Sequence, residues 1–353
     1  MALIDVSALT LNPQEVTELN KVIFEKVYNN PAISDIHEIE TGILMKTQIV
    51  LANRINRVLG KASTSCTPNE ETGFTMSQKY WEPAREDFRL KHCQADMPAL
   101  LKIFKKDAKM NPDFYDKIGS EELGVLVAAI SDAMTESLIT KIWFADKTAE
   151  LIADGGVFTA GTDIARFTTF DGQFKQIFID VPTTASNYVA ITQNAGASYA
   201  AQALPADAAL GYFKAVFNKA DKRLVKDGTA QLLVTASLFD NFVDTLESKT
   251  IANGFLDRAE DGSVNIRYRG VPIKMMDIWD RVIDQYQDNG TKWNLPHRAV
   301  LTNKSNIPVG TMSESDFTTL DSFYDPVGKQ NIIDAVYTID AKHLENYLTV
   351  AAY

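Results

Sequence analysis

The chain has 353 residues and a formal net charge of -11, with 45% hydrophobic and 23% charged residues. That length supports two or three packed regions, the acidic balance argues against a dedicated nucleic-acid binder, and no run of about 18 apolar residues offers a helical membrane span. Only Cys66 and Cys93 are present, and the first residues lack the basic, apolar and small-residue succession of a secretion signal, so a reducing cytoplasm with unpaired cysteines is expected.

In chain order, residues 1–42 open on an extended piece and then a helix. Asn12 is placed to cap it, Pro13 to start it, and Val16, Leu19, Val22, Ile23 and Val27 form its stripe, which Asn29-Asn30-Pro31 ends. The segment reads either as a packed helix or as an arm lying on a neighbour. Residues 43–58 partly alternate, with Ile43, Met45, Ile49, Leu51 and Ile55 on one face. A helix using Leu44, Leu51, Ile55 and Val58 competes with this reading.

Residues 59–75 are small, polar and broken by Gly60, Pro68 and Gly73, the composition of a loop tip, with Lys61 beside it. The chain returns through Tyr80-Trp81-Glu82-Pro83, where Pro83 fits only an edge or bulge. Residues 43–95 therefore predict a two-armed excursion, each arm about 50 Å long at roughly 3.3 Å per residue. Such an excursion cannot bury itself and needs a partner surface. Ile43, Met45, Ile49, Leu51, Ile55, Lys61, Tyr80 and Trp81 are its candidate contact residues.

Met97 to Lys109 predicts a short amphipathic helix. From Ser120 to Asp154 the longest period in the chain follows: Leu123, Leu126, Val127, Ile130, Met134, Leu138, Ile142, Ala145, Ala149 and Ile152 at helical spacing. Ser120, Glu121 and Glu122 suit its start and Gly155-Gly156 its stop. At 1.5 Å per residue it spans roughly 50 Å. Residues 156–180 are rich in glycine and aromatics and read as strands with a turn at Asp171-Gly172; Thr183 to Ala203 has the composition of a linker.

In the second half, Pro205 to Lys226 predicts a helix on Leu210, Phe213, Val216, Phe217, Ala220 and Leu224. QLLVTA and RAVLTN read as buried strands, SLFDNFVDTLESKT and IWDRVIDQYQD as helices, and SVNIRYRGVPIKMMD as two strands around Arg269-Gly270. Residues 303–328 read as loop, and VYTID and YLTVAAY as strands, the last tucked into a sheet.

Chemistry is sparse. His37, His92, His297 and His343 show no i, i+4 metal pair, and neither a phosphate loop, a G-x-S-x-G elbow nor a dinucleotide fingerprint occurs. Asp277, Asp280 and Asp284 share a helical face that could hold a divalent ion but reads as a solvated face. No catalytic, cofactor or metal residue is assigned.

The order of elements resembles that of the major capsid proteins of tailed bacteriophages, the Hong Kong 97-type shell fold shared with encapsulins. HEIETGILMKTQIVL (37–51), Tyr80-Trp81-Glu82-Pro83, KIWFADKTAE (141–150), FTTFDGQFKQI (167–177), YRGVPIKMMDIWDRVI (268–283) and HRAVLTNKSNIPVGT (297–311) carry the likeness. They are similar in style to phages of the Bacteroidetes, including crAss-like ones. The resemblance implies an α+β fold with an N-terminal arm (1–42) and an extended loop (43–95). It further implies a peripheral domain (96–185) with a spine helix at about 120–154, an axial domain (186–325) and return strands of the peripheral domain (326–353). It implies a structural, non-enzymatic subunit without cofactors that self-assembles through hexamers and pentamers into an icosahedral shell enclosing double-stranded DNA. Separate scaffold, portal and decoration proteins, no membrane, and a virion location after assembly in the host cytoplasm are implied too. Some members crosslink a loop lysine to a neighbour's asparagine; Lys61 lies near the tip, but no partner asparagine stands out. An encapsulin-like shell, or an α/β enzyme or binding protein with a site built from scattered residues, is the alternative.

Overall fold

The computed structural model describes residues 31–43, 45–52, 76–93, 136–149, 158–159, 161–181, 186–226, 228–248, 256–258, 264–312, 321–325 and 330–353. Three apolar runs without alternation, AQLLV, AVLTN and VAA, decide how they pack, because such strands must be covered on both faces. They form β6 (Ala230–Val234), β10 (Ala299–Asn303) and β14 (Val350–Ala352), each buried along its length. The seven-stranded sheet runs β5 (Tyr188–Val189), β14, β10, β6, β9 (Val271–Met275), β8 (Val264–Tyr268) and β7 (Leu256–Arg258). Leu233, Val300 and Ala351 join one apolar cluster, whereas Leu232, Val234, Ala299, Leu301, Val350 and Ala352 join the other.

Helices α5 (Ala208–Lys219) and α7 (Ala236–Ser248) close the second cluster with Phe213, Val216, Phe217, Leu238 and Phe242. The first is closed by α2 (helical residues 136–144), α3 (Gln173–Asp180) and α8 (Asp277–Tyr286). Its centre is an aromatic triangle: Trp143–Trp279 centroids lie 4.6 Å apart, Phe174–Trp279 4.8 Å and Trp143–Phe174 5.1 Å. Full burial of side chains of this size stabilises by at least about 1.5–3 kcal/mol each.

A five-stranded sheet adjoins this cluster. Its central strand β13 (Gln330–Ala341) pairs antiparallel with β4 (Ala84–Cys93) along one edge, and with β12 (Asp321–Asp325) and β11 (Val309–Thr311) along the other. β1 (Ile39–Glu40), which follows the short helix α1 (Pro31–Ile36), extends β11 in parallel. β2 (Thr47–Ala52) and β3 (Met76–Trp81) form a separate antiparallel pair. The fold is α+β.

One expectation holds at residue level. Arg269 and Gly270 have φ of 52° and 84°, the left-handed pair that a two-residue hairpin between β8 and β9 requires. The helix that Asn29-Asn30-Pro31 is expected to end lies outside the described residues; Pro31 itself starts α1, where its missing N–H is harmless.

Others are corrected. The long helix, expected to reach Asp154, ends at residue 144: the Ala145 N–H still bonds Lys141 O at 3.0 Å, but the Asp146 N–H turns to Phe167 O at 2.7 Å. Gly172 closes over this end, donating its N–H to Ala145 O at 2.7 Å. A Cβ there would stand 2.9 Å from Ala145 N and 3.0 Å from Ile142 O, so only glycine fits. The end of α2 is also buried on more than one stripe, since Trp143 and Phe144 are as enclosed as Leu138 and Ile142. Residues 120–135 and 150–154, and with them Ile130, lie outside the described residues.

Residues 173–180, read as strand, form α3, because Phe174, Ile177 and Val181 recur at helical spacing behind Gly172 and all three are buried. The stretch read as a linker is packed from residue 186 onward. Asn194 and Gln202 are clamps there: Asn194 exchanges hydrogen bonds with the His297 main chain at 2.8 and 3.0 Å, and Gln202 with that of Trp293 at 2.8 and 3.0 Å. The helix expected over 205–226 breaks at an extended Ala220, and α6 (Lys222–Lys226) restarts behind Asp221, which accepts the Arg223 N–H at 2.8 Å. Residues 303–328, read as loop, contain β11 and β12. The strands expected to return together in 326–353 split, β13 into the five-stranded sheet and β14 into the seven-stranded one. Residues 1–30 of the expected arm 1–42, with its helix, and the helix 97–109 lie outside the described residues.

Candidate assembly site

The β2–β3 hairpin joins no third strand among the described residues. A lone two-stranded hairpin is marginal in water, so its pose must be fixed at the root. Trp81 and Ile43 do this first: they are 2% and 5% exposed and converge on Gly310 of β11, where a Cβ would stand 2.8 and 2.6 Å from them. The Ile43 N–H donates to Thr311 O at 3.0 Å.

Polar bonds complete the root. The Glu82 N–H donates to Asp340 Oδ2 at 2.6 Å, and Lys342 pairs with the same oxygen at 3.1 Å. Burial raises the Asp340 carboxyl, and the Lys342 cation opposes that rise. The Glu82 carboxylate accepts from Lys46 at 2.6 Å and Lys147 at 3.3 Å, which hold its pKa down to about 2. These groups are well exposed, so the triad orients the hairpin and adds little stability. Lys79 reaches Asp180 Oδ2 at 3.0 Å and donates to the His343 carbonyl.

Pro83 is the point where the expected return arm divides. β3 stops at Trp81 and pairs with β2; β4 begins at Ala84 and pairs with β13. Among the described residues each paired arm is six residues, about 20 Å, and the rest of the expected 50 Å falls on the segment between them. The intervening residues 53–75, with Ile55 and Lys61, lie outside the described residues.

The register Gln48↔Tyr80, Val50↔Gln78 and Ala52↔Met76 places Val50, Met76 and Tyr80 on one face. Val50 is 55%, Met76 62% and Tyr80 38% exposed, with Lys46 Nζ 4.9 Å from the Tyr80 ring centre. Ile49 and Leu51, on the other face with Lys79 and Trp81, are half-buried. Of the expected contact residues that are described, then, Ile43 and Trp81 are core, Ile49 and Leu51 partly covered, and Met45 and Tyr80 open to solvent. Val50 and Met76 were missed. Their signal was the neighbouring parity of the strand, visible once Trp81 is recognised as the inward residue.

Elsewhere, groups that could carry chemistry are occupied. Asp277 pairs with Arg281, Asp280 accepts the Ala236 N–H at 2.8 Å at the start of α7, and Asp284 accepts from Trp293 Nε1 at 3.3 Å, so the three carboxylates do not converge. Burial pushes Asp280 up to about 6. Thr349, His343 and Asp180 form a hydroxyl–imidazole–carboxylate chain at 2.9 and 3.1 Å. Thr349 and His343 are fully buried, and the Thr349 hydroxyl also meets Thr302 and Asn306, so no substrate reaches it. Ser237 donates to His297 Nδ1 at 2.7 Å while His297 Nε2–H donates to Gln202 O at 2.6 Å, tying α7 to α4 (Tyr199–Gln202). No cluster of three or more His, Cys, Asp or Glu suits a metal among the described residues.

No protein-family model and no curated protein matches the chain. Solved structures similar to it include the satellite phage P4 procapsid with its size determination protein, at 12% identity, 95% of this chain, 97% of that one and a TM-score of 0.48. The holo-SrpI encapsulin complex of Synechococcus elongatus is similar at 10% identity, 100% and 95% coverage and a TM-score of 0.48. The capsid of cyanophage P-SCSP1u follows at 10% identity, 91% and 86% coverage and a TM-score of 0.46. The alignments run nearly end to end, at a similarity too low to assign the chain to any of them.

Proposed function

We propose that this chain is a shell subunit, the major capsid protein of a tailed bacteriophage with the Hong Kong 97-type fold. The observation that carries the reading is the β2–β3 hairpin: fixed at its root by Trp81, Glu82 and Lys79, it presents a face on which Val50, Met76 and Tyr80 flank Gln48 and Gln78 and which the described residues leave open. Exposed apolar strand surface of this kind is an association site, and a second copy of the chain is the proposed occupant. On this reading the chain has no active site and its function is assembly through hexamers and pentamers into an icosahedral shell in the host cytoplasm. The five-stranded sheet with α2 corresponds to the peripheral domain and the seven-stranded sheet to the axial domain. A net charge of -11 suits a wall that encloses double-stranded DNA without gripping it. Scaffold, portal and decoration functions fall to other proteins, and the nearer likeness to phages of the Bacteroidetes rests on the sequence stretches alone.

The test is size-exclusion chromatography with light scattering and negative-stain microscopy of the intact protein and of one in which Lys61 to Gly73 is replaced by a short Asn-Gly turn. Shells or capsomers from the intact chain, and a folded small species from the shortened one, are expected. The same small species from both sinks the proposal.

A further inference from the structure

His343 lies where three elements meet, and its ring is fully buried. Nδ1 is 3.1 Å from Asp180 Oδ2 of α3, and Nε2 is 2.9 Å from Thr349 Oγ1, one residue before β14. A carboxylate only accepts, so Nδ1 carries the proton and Nε2 accepts from the Thr349 hydroxyl. Thr349 Oγ1 in turn accepts from Asn306 Nδ2 at 2.8 Å and from the Thr302 hydroxyl at 3.1 Å. Every hydroxyl in this chain has one workable direction: Thr302 to Thr349 to His343.

The same Asp180 Oδ2 holds Lys79 of β3 at 3.0 Å, and Lys79 also donates to the His343 carbonyl. One carboxylate oxygen thereby ties the hairpin to the body and orients the histidine that backs the last strand. The charged groups around the ring are Asp180 from α3, Lys79 from β3 and, in the ring's own loop, Glu345 and the Asp340-paired Lys342.

We propose that His343 and Asp180 form an acid-sensitive latch, in which one proton added at His343 Nε2 releases the β2–β3 hairpin from the body and loosens β14. Two consequences of the geometry drive this. A protonated Nε2 must donate to Thr349, which reverses the hydroxyl chain and takes from the buried Thr302 proton its acceptor among the described groups. The new imidazolium also shares Asp180 Oδ2 with the Lys79 ammonium, and one carboxylate cannot offset two cations. Lys79, whose side chain is 29% exposed, is the one that can leave for water, while His343 cannot. Burial and the Lys79 charge both hold the imidazole below its ordinary range, so the latch stays closed at neutral pH and opens only on acidification. The inference concerns the subunit itself and stands apart from whether that subunit assembles.

The test is amide hydrogen exchange on the full chain at pH 7.5 and pH 4.5, corrected for the intrinsic pH dependence, with His343 followed by NMR. Residues 47–52, 76–81 and 350–352 are expected to lose at least tenfold more protection at the lower pH than β6 and α7 do. His343→Gln is expected to abolish the selective loss. Lys79→Met is expected to raise the His343 titration midpoint and to leave the hairpin loosened at both pH values. Unchanged hairpin protection in the native chain, an equal loss in His343→Gln, or, if that variant fails to fold, an unshifted midpoint in Lys79→Met each overturns the latch.

Discussion

The guanidinium of Arg298 lies 4.6 Å from the centre of the Phe174 ring, in a position only 1% exposed and with no carboxylate in contact among the described residues. Phe144 and Phe178 flank it at 5.2 and 5.5 Å, and its N–H groups donate to Leu295 O, Asn294 O and Gln287 Oε1 at 2.8, 3.0 and 2.7 Å. Burial lowers its pKa to about 9, still far above neutral pH, and the Asp280 charge opposes that fall, so a charge is held here by ring faces and carbonyls with a carboxylate acting only at a distance. Lysine cannot reproduce the planar fork. Arg298→Lys is expected to destabilise by about 2–4 kcal/mol, and Arg298→Ala by more, in urea unfolding. A loss under about 1 kcal/mol for Arg298→Ala would remove the residue from this central role.

Arg298 also shows what the sequence hides. The strand RAVLTN is legible because unbroken apolar runs of that length are buried strands, but nothing local says that the arginine before it turns inward. Its partners come from residues 144, 174, 178, 287, 294 and 295, which only the tertiary fold collects. Between residues 230 and 303 the chain is legible nearly element by element, since its helices and strands obey period and have clear turn signals such as Arg269-Gly270. The first half was read less well. There the sequence of α3 reads as a strand because glycine and aromatics dominate its neighbourhood, and the helix end at residue 144 depends on Gly172, which is distant in sequence. At the hairpin, alternation was legible but the outward parity was not, because Trp81 sets it through contact with Gly310.

Gly172 and Gly310 differ in what an added methyl group would strike. At Gly310 it meets Ile43 Cδ1 and Trp81 ring atoms at 2.6–2.8 Å, side chains that can shift; at Gly172 it meets main-chain atoms at 2.9–3.0 Å that cannot. Gly310→Ala is expected to destabilise by about 1–3 kcal/mol, the usual range for overpacking, and to reduce amide protection in β2 and β3. Gly172→Ala should be the more damaging of the two in denaturant melts, with its effect centred on residues 141–147. The reverse order would contradict the packing described for the end of α2.

Lys141 on α2 donates to Glu86 Oε2 on β4 in a buried pair, their side chains 10% and 6% exposed, and Glu86 Oε1 has no hydrogen-bond partner among the described groups. Lys141→Met therefore strands a buried carboxylate and should destabilise by about 3–5 kcal/mol. Combining it with Glu86→Leu removes the stranded charge, and the double variant is expected to regain most of the loss. A double-mutant cycle in chemical denaturation measures the coupling; additive losses would mean that the two groups do not depend on one another.

His37 donates Nδ1–H to Ile307 O at 2.8 Å and leaves Nε2 buried without a described partner, its ring centre 5.4 Å from that of Trp143. Burial lowers its pKa to about 4. An unfolded histidine titrates near ~6.5, so below that pH the unfolded chain takes up a proton that the folded chain refuses. Stability is therefore full above about pH 6.5 and falls as the pH drops towards 4, by about 3 kcal/mol from this residue. Burial lowers His297 in the same direction. Urea midpoints between pH 7 and pH 4.5 should fall steadily in the native chain and less steeply in His37→Gln. Equal slopes would show that His37 is not held neutral.

The two faces of the hairpin should separate folding from assembly. Val50 and Met76 are more than half exposed and touch no core, so Val50→Asp combined with Met76→Lys is expected to change subunit stability by no more than about 0.5 kcal/mol. The pair adds one charge of each sign, so net charge is unchanged and long-range repulsion does not confound the result. If a second copy covers this face, burying an aspartate and a lysine there is unfavourable, and light scattering should show a folded small species in place of shells. Ile49→Asp is the contrast: its residue is half-buried on the opposite face, beside Lys79 and Trp81, so it should lower the denaturation midpoint whether or not shells form. Native-sized shells from the Val50→Asp, Met76→Lys protein would mean that this face is not where copies meet.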